Sequence, residues 1–204
     1  MQSSFIWDEA LGKGYYPVDG TDAVYDKAYF DKYVGYESTK IGEDINKFRT
    51  SFVNSFVGEG AVVDIGIGSG FFVKNRKNTY GYDVNPVGVK TLQDMNLFLD
   101  VYTGLPVTIK AVTCFDSLEH IKSPERLFNV IPKGTFLITS IPIFRNKEHC
   151  LSSKHFRPDE HYHYFTHMGF INYMQTCGFA PCWMSNVETE LGRDEIYTYS
   201  FIKQ

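Results

Sequence analysis

The run "AVVDIGIGSG", residues 61–70, limits the possible folds more than any other stretch of the chain. Ala61 to Asp64, with Ile65 beyond, read as a buried strand, and Gly66, Gly68 and Gly70 alternate with Ile67 and Ser69 as its exit turn. Backbone N–H groups freed by missing side chains, and the helix start that follows, offer donors to a polar ligand. The spacing is Gly-x-Gly-x-Gly. It departs from Gly-x-Gly-x-x-Gly, in which the third glycine lets helix and strand pack closely. By itself the cluster predicts only a tight strand-to-helix turn.

The same alternation continues downstream. Strands are expected at "NTYGYDV", "IKAVTCFD" and "GTFLITSIPIF". Helices are expected at "FFVKNR", "VGVKTLQDMNLFL", "SPERLFNVI" (Ser123 as cap, Pro124 in the first turn) and "YFTHMGFINYMQTCGF", the last stopped by Gly178. Upstream, Ile41, Ile45, Phe48, Phe52 and Phe56 form one apolar stripe at helical spacing, closed by Gly58. The tail, "APCWMSNVETE" and "EIYTYSFIK", reads as two strands. Strands alternating with helices predict an α/β, doubly wound, mostly parallel sheet, with the closing pair as an antiparallel C-terminal edge hairpin. Residues 1–57 are expected to be an N-terminal helical or lid segment, and 58–204 the main α/β unit of one compact domain.

Composition narrows the function classes. The 204 residues are 43% hydrophobic and 22% charged with a formal net charge of -4, which suits one filled core and gives no bulk attraction to nucleic acid. No apolar run approaches the length of a membrane span, and the first residues lack the pattern of a signal peptide. Four scattered cysteines without a CxxC pair fit a reducing, cytoplasmic setting. A zinc site from His149, Cys150 and His155 matches no standard module, and no set of strand-end carboxylates marks a metal.

Ligands of such sheets bind at the carboxyl ends of the strands. Asp83 ends "YGYDV" nineteen residues after Asp64, the distance at which these folds place an acid for ribose hydroxyls. Tyr82, Val84 and Asn85 beside it are candidates to cover an adenine. Asp116 ends the central strand, followed by Ser117, Leu118, Glu119 and His120. "HFRPDEHYHYFT" gathers three histidines, an arginine, two acids and four aromatics where a substrate loop is expected.

"VVDIGIGSGFF", "YGYDVNP", "AVTCFDSLEHIKSPERL" and "SKHFRPDEHYHYFTHMGFINYMQTCGF" together resemble the successive motifs of class I S-adenosylmethionine-dependent methyltransferases over residues 60 to about 179. The nearer likeness is to the branch with D-x-LEH after the central strand and RPxEH…YFT…GF later. The resemblance implies a Rossmann-like fold and S-adenosylmethionine as cofactor. It implies in-line transfer of a methyl group to an oxygen or nitrogen of a small or medium acceptor, with the protein supplying alignment and desolvation. It further implies that Gly66, Gly68 and Gly70 shape the turn against the methionine part, Asp64 orients that turn, and Asp83 holds the ribose. Val84, Asp116, Ser117 and Leu118 would line the cofactor, with Asp100 (or less well Asp94) near the adenine and Arg49 on the methionine carboxylate.

His120 and His161 are the catalytic candidates, and His155, Arg157 and Glu160 the substrate-side ones. The tyrosines of the N-terminal block, Tyr29 among them, are expected as a lid. His120 as proton acceptor and Glu119–His120 as a mere loop brace both stay open, as do structural roles for the loop residues. A non-catalytic cofactor-binding or interaction domain stays open too, favoured if Phe71 or Phe72 blocks the pocket. A nicotinamide-dependent oxidoreductase fits less well, for want of the longer glycine spacing.

Overall fold

The computed structural model describes residues 5–16 and 25–204. Among these residues nine strands form one sheet: β1 (Ile6–Asp8), β2 (Lys13–Tyr15), β3 (Ala61–Ile65), β4 (Thr79–Tyr82), β5 (Ile109–Phe115), β6 (Phe136–Phe144), β7 (His163–Thr166), β8 (Phe179–Ser185) and β9 (Ile196–Lys203). The helices are α1 (Lys27–Glu37), α2 (Lys40–Val57), α3 (Phe71–Asn75), α4 (Pro86–Asp94), α5 (Glu125–Val130), α6 (Lys147–Ser152), α7 (His167–Thr176) and α8 (Val187–Glu190). The order β4-β3-β5-β6 is parallel throughout. Beyond it β9 lies antiparallel to β6 and β8 antiparallel to β9, the expected edge hairpin.

Strand β6 serves two neighbours on that side. Residues 136–142 pair with β9, and Ile143 and Phe144 then pair in parallel with β7, which carries β2 and β1 outward. Residues 6–15 thus add two strands where a helical segment was expected. Phe5 and Trp7 hold them in place by packing on the ring cluster around the fully buried Tyr164.

The period of two in the strands explains the layering. Val63, Val112 and Leu137 face the cluster that holds Leu127 and Phe128 of α5 and Phe170 and Met174 of α7. Val62, Ala111 and Ile138 face the other way, onto Phe52 and Val53 of α2 and Phe72 of α3. The α2 stripe behaves as its spacing predicts, with Phe48, Phe52 and Phe56 in successive ring contact, Thr39 capping its start and Gly58 ending it.

Four local expectations differ from the structure. Tyr164–Thr166 are strand, not helix, because Tyr164 and Phe165 alternate across a buried edge; Thr166 caps α7 instead. Pro124, rather than Ser123, is the residue before α5, and no side chain caps that helix. Helix α4 stops at Asp94, short of the expected Leu99, and Phe98 beyond it makes a single parallel bridge to Gly81. The run Val187–Glu190, read as strand, is a helical turn whose Glu188 is wholly buried.

Candidate active site

At the carboxyl ends of β3, β4 and β5 lies a cavity of about 390 Å³, within the usual range for small-ligand sites. Its floor is the glycine turn. Gly66 has φ +74°, and a Cβ there would stand 2.6 Å from Ser117 Cβ, so only glycine lets the loops after β3 and β5 meet. Gly68, at φ +57°, faces open space bounded by the Tyr33 ring at 3.7 Å. Gly70 caps α3 and lies off the cavity wall. Phe71 and Phe72 belong to the wall and leave the space open; Phe72 leans edge-on against Phe115.

Asp64 sits beneath the turn, buried, accepting from Thr113 Oγ1 at 2.6 Å. Burial raises its pKa to about 7. Asp83 borders the cavity and accepts the Asn85 backbone N–H at 2.7 Å, with further backbone bonds from Ile67 and Val84. Burial raises its pKa, and those backbone donors counter part of the rise. Tyr82, Val84 and Tyr102 form the wall beside it, Tyr82 edge-on to Tyr102. Asp100 lies off the cavity: its carboxylate accepts the Tyr102 N–H as the cap of a short 3-10 turn. Asp94 is exposed and paired with Lys90. Ser117 lines the cavity and donates to the Ile65 carbonyl, whereas Leu118 is buried off the wall.

Helix α1 covers the cavity with Tyr29, Tyr33 and Tyr36, and Tyr25, just ahead of its cap, extends the cover; a 3.1 Å hydroxyl contact joins Tyr29 and Tyr33. Asp26 caps the helix, and its carbonyl accepts from Asn85 Nδ2 at 3.0 Å, which ties the cover to the β4 exit.

Arg49 borders the cavity but is committed to carboxylates. Its guanidinium gives Glu188 two bonds, at 2.8 and 2.9 Å, and Asp116 one at 2.7 Å, and it stacks on Phe115. Arg193 completes the cluster with bonds to both Asp116 and Glu188, and Glu188 also accepts from Ser140 at 2.6 Å. Burial would raise the Asp116 pKa, but Arg193 and then Arg49 hold it well below the usual carboxylate range. Arg193 and Glu188 carried no sequence signal: each lies in the tail, far in the chain from Arg49, and a turn inside an apparent strand brings them in.

His120 borders the cavity, its Nδ1 3.3 Å from the Tyr25 hydroxyl, and burial lowers its pKa. His161 lies behind it, off the cavity wall, with ring centroids 4.5 Å apart. Burial and then the neighbouring His120 push its pKa down to about 2, so it is neutral. The other loop candidates do not line the cavity. Arg157 pairs with Glu160 at 2.8 Å, and His155 Nε2 meets the Asp194 carbonyl at 2.9 Å. His149 pairs with Glu195, and Cys150 is buried among aromatic rings, so the two do not converge with His155 on a common point. Among the described residues, no helix is long and apolar enough to cross a membrane.

No curated protein matches the sequence. Among solved structures, the chain is similar to one in the complex between the Haloferax volcanii Trm112 methyltransferase activator and a methyltransferase, at TM-score 0.63 and 13% identity over 88% of this chain and 99% of that one. A S-adenosylmethionine-dependent methyltransferase of Thermotoga maritima gives TM-score 0.61 at 16% identity, covering 87% and 97%. The glycopeptide N-methyltransferase MtfA, solved with sinefungin, gives 0.55 at 9%, covering 76% and 93%. These likenesses carry the fold. The family described as "Methyltransferase domain" matches residues 27–182, most of the chain. With that match laid over a glycine turn and a strand-end acid in a class I sheet, the chain belongs to the methyltransferase-domain family and is a S-adenosylmethionine-dependent methyltransferase.

Proposed function

We propose that the cavity holds S-adenosylmethionine beneath the α1 tyrosines and that a small or medium acceptor takes the methyl group on an oxygen or nitrogen. One observation carries the reading: the bare loop at Gly66–Gly68 and the Asp83 carboxylate border the same cavity. Asp83 accepts from the ribose hydroxyls, since a carboxylate held by backbone donors keeps acceptor capacity. Val84, Tyr82 and Tyr102 cover the adenine. The methionine part lies along the glycine turn, set by Asp64 from below, with Ser117 and Asp116 at the mouth.

Arg49, already shared between two acids, positions Asp116 and the α2 wall. It reaches a ligand carboxylate only by exchanging one of them. The sulfonium carries its own driving force, so the protein's part is to align the acceptor and exclude water. His120 stands at the acceptor end with His161 behind it, and the Arg157–Glu160 loop braces both.

The test is calorimetric titration with S-adenosylhomocysteine. Asp83→Ala weakens binding at least tenfold while leaving the fold intact by circular dichroism. Unchanged affinity would remove the ribose assignment. Screening hydroxyl and amine acceptors for methyl transfer then fixes the acceptor atom.

A further inference from the structure

Among the described residues, Glu119, His120 and His161 are the one trio whose ligand-capable atoms converge, all lying within 4.8 Å of one another. The fold builds this meeting from two distant loops. Glu119 and His120 occupy a 3-10 turn after β5, and His161 precedes β7. The Glu119 carbonyl accepts the Tyr162 N–H at 2.8 Å, and the Arg157 carbonyl accepts the His161 N–H at 2.7 Å. These backbone bonds fix both loops, so the side chains meet on a rigid frame.

Two atoms of the trio lack any hydrogen-bond partner although they are buried: Glu119 Oε2, on a residue 2% exposed, and His161 Nδ1, on a residue 4% exposed. Native folds rarely leave such groups unpaired, because each loses its water without recompense. A carboxylate oxygen and a neutral imidazole nitrogen are both electron-pair donors, and the trio offers such atoms within 4.8 Å of one another. The species that satisfies both, with a second imidazole beside them, is a cation.

We propose that Glu119, His120 and His161 bind a first-row divalent transition ion, with Zn²⁺ as the reference case, at the acceptor end of the cavity. Two imidazoles and one carboxylate are the donor set that suits Zn²⁺, Co²⁺ or Mn²⁺ better than Mg²⁺ or Ca²⁺, which prefer oxygen alone. Three protein ligands also leave a position open, as in catalytic sites. Tetrahedral bonds of about 2.0–2.1 Å put ligand atoms roughly 3.3 Å apart, so the trio, now within 4.8 Å, must draw in to close on an ion.

The surrounding charges favour it. Asp116 and Glu160 lie near, and the cations felt there are already paired: Arg157 with Glu160, and Arg49 and Arg193 with Asp116 and Glu188. His120 is the member that borders the cavity, which turns the open position toward the acceptor. This last point rests on the methyl-transfer reading above; the binding of the ion does not. The sequence carried no such expectation, because Glu119–His120 and His161 are separated by about forty residues and converge only in the fold.

The test uses the full chain, dialysed free of metal with a chelator and then titrated with Zn²⁺, and separately with Co²⁺. One ion per chain is expected at micromolar affinity or better. The Co²⁺ form should show visible d–d bands of a nitrogen–oxygen site without thiolate charge transfer. Glu119→Gln and His161→Gln each weaken binding at least tenfold, while Cys182→Ser, at an exposed thiol, leaves it unchanged. Circular dichroism checks each variant, and His120→Ala, at a less buried position, replaces any variant that fails to fold. Affinity for S-adenosylhomocysteine, measured alongside, separates this proposal from the cofactor assignment. Absence of stoichiometric binding at millimolar metal overturns the site, as does binding that survives all three ligand substitutions.

Discussion

The two glycines at the floor of the cavity should fail in different ways. Gly66 and Gly68 share the left-handed region, at φ +74° and +57°, so alanine at either costs about 1–2 kcal/mol in backbone strain. Their surroundings differ. A methyl at Gly66 would stand 2.6 Å from Ser117 Cβ, and Ser117 cannot yield freely because its hydroxyl is bonded to the Ile65 carbonyl at 2.6 Å. Such overpacking adds about 1–3 kcal/mol, so Gly66→Ala should lose about 2–5 kcal/mol in all. In a chain of this size each kcal/mol moves Tm by about 2–4 °C.

A methyl at Gly68 meets nothing nearer than Tyr33 at 3.7 Å, and it projects into the space assigned to the cofactor. Gly68→Ala should therefore lose only the strain, about 1–2 kcal/mol, yet bind S-adenosylhomocysteine at least tenfold more weakly. Urea denaturation of both variants and titration of the folded proteins read the two quantities separately. Equal losses of stability, or wild-type affinity in Gly68→Ala, would refute the reasoning.

Further outcomes follow from the buried charges. Glu188→Gln leaves Arg49 and Arg193 sharing Asp116 alone and should cost about 3–5 kcal/mol in denaturant titration; a loss under about 1 kcal/mol would mean that the arginines find other partners. The folded pKa values of Asp116 and Glu188 are lowered, so the stability they contribute is present at neutral pH and is lost as the pH falls below the ordinary carboxylate range near ~4; stability against pH in wild type and Asp116→Asn checks this. Asp64 has the opposite sign. Its raised pKa makes its contribution greatest at low pH and lost as the pH rises through about 7, so Asp64→Asn should flatten the decline on that side. An unaltered slope in that variant would place the titration elsewhere.

Elements whose logic is local were legible in the sequence. The apolar runs of β3, β5 and β6, the α2 stripe, the terminator at Gly58 and the glycine turn each depend on residues within one or two turns of chain. Asp83 was legible for the same reason, since a strand of fixed length must end at a fixed distance from the glycine turn. Where two local readings competed, burial decided between them. Tyr164 and Phe165 continue the apolar rhythm of the helix that follows, yet they pair with β2 and β6 because a sheet edge there needed covering. Asp100 looked like an adenine contact and instead caps a turn.

By itself, the sequence determined the sheet order's raw material, the site of the bare loop and the position of the strand-end acid, because periodicity and spacing act along the chain. Only the tertiary structure decided that Arg49 faces Asp116, Glu188 and Arg193, and that Glu119, His120 and His161 converge. Those contacts join segments tens of residues apart. Their energy comes from desolvation and pairing inside the folded core, and no local pattern of residues encodes which distant charge will be the partner.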